Sequence, residues 1–134
     1  MTCVEEHIRS VRMLLKDVED KVRNGSIVET QKLIGFACSE ACCDLLAVML
    51  HRKNLITPGF NVNHRFFASE RIARQRFGYD FPYKDAILGL LVRQEGFREK
   101  LCYGKERERK IVEACIKNAY KIKGLVEKAL GEAV

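Results

Sequence analysis

Arg98 is the residue of this chain best placed to do chemistry. It falls seven residues after Leu91 and eleven after Ile87, so on a helix all three lie at nearly the same angle. A guanidinium is always charged and carries five donors in a rigid fork. On an apolar surface it must meet negative charge, because an unpaired desolvated charge is costly. Two sources fit: the chain's own acids, or a phosphate from outside. Glu40 and Asp44 are the candidate acids. They stand four apart on one helix face and repel mildly unless a cation meets them. Tyr103, five residues beyond Arg98, can donate a hydrogen bond, but a phenol titrating near 10 is a poor base at neutral pH.

The three histidines have the right intrinsic pKa for proton transfer. Their positions, His7 before the first core stripe, His51 at a helix end and His64 in a basic loop, set none of them beside Arg98 by spacing. Each is expected at a surface or a helix end. Cys38, Cys42, Cys43 and Cys115, four of the six cysteines, fall within helical patterns, and no C-x-x-C pair occurs. They read as reduced core thiols. Zinc-type ligand spacing is absent, so neither a metal nor another cofactor is expected.

Net charge is +6, from 24 basic and 18 acidic residues. Between His51 and Arg76 six basic residues (Arg52, Lys53, Arg65, Arg71, Arg74 and Arg76) face the single acid Glu70, a local +5. Such a segment can hold phosphate chains, or it is a solvated loop and short helix.

The elements that must position these groups are helical throughout. Val4, Ile8, Val11, Leu15, Val18 and Val22 alternate steps of four and three, an amphipathic helix. Asn24-Gly25 ends it. A central helix is predicted over Ile27 to Leu50, with Ser26 and Glu29 as a capping box. It is apolar on nearly all sides, Leu33 and Phe36 included, which places it inside a bundle. The short connection makes the first two helices an antiparallel hairpin. A shorter third helix covers roughly 63 to 75, capped by Asn61 or Asn63. A fourth runs from about Pro82 to Cys102, capped by Asp80. A fifth starts near Lys105 and continues through Ala129. Gly89 and Gly96 weaken the fourth helix and are expected to mark close helix approach. No segment alternates as a strand does. The 134 residues fit one domain, an all-α up-and-down bundle of four long helices and one short helix. No apolar run is expected to span a bilayer, since Glu40 and Asp44 interrupt the longest. The first ten residues lack the apolar core of a signal peptide, so a cytoplasmic location is expected.

The order of helices, the acid-bearing second helix, the Pro58-Gly59 connection and the segment GFREKLCYGKE resemble HEPN domains (higher eukaryotes and prokaryotes nucleotide-binding). The resemblance covers about Leu33 to Leu130. Many members of that family are ribonucleases, often toxins paired with a nucleotidyltransferase antitoxin. Their active form has an arginine, usually followed by a polar residue such as asparagine, and a histidine four to six residues beyond the arginine. Arg98 matches the arginine; Glu99 stands where asparagine is common, and Tyr103 where the histidine would be. The resemblance implies acid–base chemistry by the histidine and phosphate stabilisation by the arginine, so the tyrosine departs at the catalytic position. Residues five apart lie about 140° apart on an ideal helix. Arg98 and Tyr103 therefore share a site only if the helix unwinds before Gly104 or the site forms between subunits. The resemblance also implies a homodimer and a possible nucleotidyltransferase partner.

Three readings follow. A HEPN-like module would hold RNA or nucleotide phosphate with Arg98, Lys100, Lys105, Arg65, Arg71 and Arg74, without efficient cleavage. An active ribonuclease would use Arg98 with Tyr103 or a distant histidine. In an adaptor bundle, Arg98 only pairs with Glu40 or Asp44 and the function is protein contact.

Overall fold

The computed structural model describes residues 3–134, an all-α bundle with no strand among them. Its helices are α1 (Val4–Arg23), α2 (Gln31–Arg52), α3 (Glu70–Arg76), α4 (Lys84–Cys102) and α5 (Arg109–Leu130), with a 3-10 turn at His64–Phe67. Helix α2 is the centre: it packs against α1, α4 and α5. Contacts fix the directions. Gly35 meets Leu101 and Glu40 meets Arg98; Leu90 meets Asn118 and Gln94 meets Cys115; Gln31 meets Arg107 and Cys42 meets Ala119. So α4 runs antiparallel to α2 and to α5, while α5 runs parallel to α2.

Helix α1 follows its stripe, with Val11, Leu15 and Val18 buried, although Val22 is exposed. Glu5 and Glu6 in its first turn and Lys21 and Arg23 in its last suit the helix dipole. Gly25 takes the left-handed conformation, φ +68°. The amides of Gly25 and Ser26 return to the carbonyls of Val22 and Lys21, closing a Schellman turn.

That turn explains a correction. The capping box does not form, because Ser26 belongs to the end of α1: its amide and hydroxyl both donate to the Lys21 carbonyl. Helix α2 starts only at Gln31, after a turn that buries Ile27. The side chain of Gln31 instead ties down the α4–α5 loop. It donates to the Arg107 carbonyl at 3.1 Å and accepts from the Arg107 amide at 2.8 Å.

From Ala37 to Leu50 every residue of α2 is buried except Glu40 and Asp44. The first turns differ from expectation: Leu33 and Phe36 are 58% and 46% exposed, because no helix packs over that face. By length and composition α2 does match a membrane span, with mean hydropathy 1.8 over an 18-residue window, but 78% of that window is buried inside the bundle. All six cysteines are free thiols, and Cys38, Cys42, Cys43 and Cys115 lie in the core.

The third element is divided. Asn63 caps the 3-10 turn by accepting from the Arg65 amide, and Ser69 caps α3 by accepting from the Ile72 amide. Phe66, Phe67, Phe77, Tyr79 and Phe81 form an aromatic chain beneath. Helix α4 begins at Lys84, two residues later than expected, and Asp80 does not cap it. Tyr83 precedes it in the left-handed conformation with no side-chain cap bond. Helix α5 begins at Arg109 because residues 103–108 form an irregular segment turning on Gly104, φ +84°.

The glycine expectation is also corrected. A Cβ on Gly96 would meet nothing within 4 Å, and one on Gly89 would meet only Glu70 Oε1 at 3.5 Å. The close approach is at Gly35, where a Cβ would lie 2.9 Å from Leu101 Cβ and 3.1 Å from Cys102 Sγ. Helices α2 and α4 touch there, three residues from Arg98.

Candidate functional site

Gln94, Glu95, Arg98 and Leu101 recur at helical spacing on α4 and are all buried. This side of α4 packs against α2, α5 and the 3-10 turn, so the charged heads of Glu95 and Arg98 are carried into interfaces rather than into water. Arg98 is 8% exposed. Its Nη1 donates to Glu40 Oε2 at 2.8 Å and to Ser39 Oγ at 3.2 Å. Its Nε is buried and has no partner among the described residues. The guanidinium carbon stands 5.1 Å from the centre of the Phe36 ring, a cation–π distance.

Helix α4 ends at Cys102, and Tyr103 is extended, φ −127° and ψ 146°. That is the unwinding needed for Arg98 and Tyr103 to meet within one chain. Burial alone would lower the Arg98 pKa, but the hydrogen bond to Glu40 and the nearby Tyr103 phenol outweigh it and raise the pKa. Tyr103 itself is 61% exposed.

Asp44 does not pair with Arg98, contrary to the expectation from the Glu40–Asp44 spacing. Its Oδ1 is 2.7 Å from His7 Nδ1. The physical reason is competition: α1 brings a buried imidazole to Asp44, while α4 brings the guanidinium to Glu40. His7 is thus a core residue, stacked on His51 with ring centres 5.6 Å apart. A signal was present, since His7 lies three residues after Val4 and four before Val11, within the apolar stripe. Glu95 was missed in the same way. It lies four residues after Leu91 and three before Arg98, is 8% exposed, and binds His64 Nδ1 at 2.9 Å.

The Cys43 thiol sits beneath this polar line. Burial pushes its pKa up, and so do the Glu40 and Asp44 charges, partly offset by Arg98. A cleft of about 320 Å³ opens beside it, lined by Glu6, His7, Glu40, Asp44 and Asn61 among others. Among the described residues no three of His, Cys, Asp and Glu are grouped to hold a metal ion.

The other cationic candidates divide into two sets. Arg65 and Arg71 are exposed beside or on α3. Arg74 is exposed too, but donates to Asp85 at 2.8 Å, and this bond raises its pKa. Arg76 lies over the Phe66 ring. Lys100 and Lys105 are exposed at the far end of α4, where Lys105 joins Lys32 and Leu33 along a shallow cleft of about 380 Å³. Glu70 of α3 approaches α4 at Gly89. Eleven residues separate Gly89 from Lys100, about 16 Å of helix, so the α3 cations are distinct from the Lys100–Lys105 set, whereas Arg65 follows His64, which is bonded to Glu95 one turn before Arg98.

No protein-family model, curated protein or solved structure matches the chain significantly. The likeness to HEPN domains therefore rests on the residues quoted above.

Proposed function

We propose that this chain is a HEPN-like module that holds RNA or nucleotide phosphate and does not cleave RNA efficiently. The observation that carries this reading is the company of Arg98. The guanidinium sits against the half-exposed Phe36, the exposed Tyr103 follows at the unwound end of α4 and helps raise its pKa, and among the described residues no histidine is hydrogen-bonded to it. An arginine with aromatic faces beside it suits a nucleotide, because phosphate binds the guanidinium and bases stack on rings. The tyrosine can donate to phosphate but is a poor base at neutral pH. The basic residues of the α3 region offer a second, sequence-independent phosphate surface.

The test is binding and cleavage of labelled single-stranded RNA by the purified chain and by Arg98→Ala. Binding that weakens steeply with salt and is reduced in the variant, without cleavage, supports the proposal. Absence of binding at low salt would leave a protein-contact role instead.

One observation favours an active ribonuclease as the second reading. His64 is oriented by Glu95, and Glu95 lies one turn before Arg98. In that case RNA would be cleaved, and both His64→Ala and Arg98→Ala would abolish cleavage.

A further inference from the structure

The Arg98–Glu40 pair is unequal in its two halves. The arginine side chain is 10% exposed, whereas the glutamate side chain is 38% exposed. The cation is fixed and the anion is free to leave. Moving the Glu40 carboxylate into water costs that group little, because it is already partly solvated. The guanidinium has no such exit. It is held by Ser39 and by the Phe36 face, and its Nε already lacks an acceptor. A buried donor without an acceptor is a costly state in a folded protein. A phosphate oxygen cluster would satisfy more of the guanidinium's donors than one carboxylate oxygen does.

The surroundings specify the rest of the ligand. Phe36 precedes Glu40 by four residues and so shares its helix face. Phe36 is 46% exposed, and Tyr103, the residue after α4, is 61% exposed. Exposed rings beside an arginine form a stacking platform for a base.

We propose that Glu40 is an internal anion that occupies the Arg98 site, and that a nucleotide phosphate displaces it while the base stacks on Phe36 or Tyr103. This deepens the phosphate-binding reading and rests on it. Glu40 then sets affinity: it keeps the buried arginine neutralised when empty and competes with every phosphate that arrives.

The experiment compares the unaltered chain, Glu40→Gln, and the double variant Glu40→Gln with Arg98→Ala, titrated with a fluorescein-labelled single-stranded RNA. Glutamine keeps the size of the side chain and removes the charge. Affinity is expected to rise about three- to tenfold in Glu40→Gln, because phosphate then no longer has to displace a charged competitor. The gain is expected to vanish in the double variant. Phe36→Ala is expected to weaken binding in the Glu40→Gln background. Circular dichroism and thermal melting check each fold. If Glu40→Gln does not fold, Glu40→Asp draws the carboxylate back by one methylene and gives a smaller gain.

The failures are separable. RNA binding by the unaltered chain with no gain in Glu40→Gln overturns the displacement and leaves the phosphate-binding reading standing. A gain that survives loss of Arg98 also overturns it, since the added affinity then comes from net charge alone. No binding by either chain overturns both.

Discussion

A buried arginine is worth to stability what its loss would strand. If Arg98 is replaced by leucine, Glu40 loses its partner but keeps access to water, its side chain being 38% exposed. The penalty is therefore far below that of a fully buried orphan. The lost contact with Phe36 adds a small term. Arg98→Leu is expected to destabilise by about 1–2 kcal/mol, measured by denaturant unfolding. A loss several times larger would mean that Glu40 cannot reach solvent. This residue was legible in the sequence because angle alone placed it among Ile87 and Leu91. Its partner was half legible. Glu40 and Asp44 share a face, and nothing in their spacing says which one meets the arginine. That choice belongs to His7, whose place on the α1 stripe sends a competing imidazole to Asp44.

Between helices, the decisive positions are glycines, and their meanings differ. At Gly35 an added Cβ would stand 2.9 Å from Leu101 Cβ, closer than packed carbons come. Gly35→Ala is expected to destabilise by about 1–3 kcal/mol, the cost of overpacking. Gly96 has nothing within 4 Å of that position, so Gly96→Ala should stabilise by about 1 kcal/mol through helix propensity alone. Melting curves of the two variants should move in opposite directions; a shift of the same sign in both would contradict the placement of the α2–α4 contact. Sequence shows that a glycine weakens a helix, but not what lies opposite it, which is why Gly96 and Gly89 looked like contact points and Gly35 did not. Helix ends were misjudged for a related reason: Ser26 had the right spacing for α2, yet the turn after α1 used it first.

The α1–α2 hairpin also carries a pH dependence. His7 and His51 stack, and the Nε2 atoms of both are buried without partners among the described residues. Burial lowers the His51 pKa below its usual 6.5, and the neighbouring His7 lowers it further. In the unfolded chain His51 takes up a proton at its ordinary pKa; in the folded chain it resists. Its contribution is therefore fully present above 6.5 and is lost as pH falls through the depressed folded value. His51→Phe should flatten the fall in melting temperature on acidification while leaving the neutral-pH stack in place. An unchanged acid slope in that variant would assign the loss to carboxylates elsewhere.

At the scale of the whole molecule, the distribution of charge is only partly legible in the sequence. The all-α bundle and its central helix followed from periodicity, and the +5 segment from counting, but neither shows that the α3 cations and the Lys100–Lys105 end lie about 16 Å apart along α4. That separation predicts different behaviour for short and long ligands. A mononucleotide at the Arg98 end does not reach the α3 cations, so its binding should be lost in Arg98→Ala and unaffected by Arg71→Ala. A long single strand reaches both sets. Each phosphate contact adds about 0.7 to the slope of log affinity against log salt for single strands. The Arg65→Ala, Arg71→Ala pair should therefore reduce the slope for a long RNA by about 1.4. Arg74→Ala should reduce it less than either single change, because its guanidinium is already engaged by Asp85. A salt slope that ignores Arg65 and Arg71 would confine phosphate recognition to the end of α4, and sensitivity of the mononucleotide to Arg71→Ala would mean that the two faces act as one.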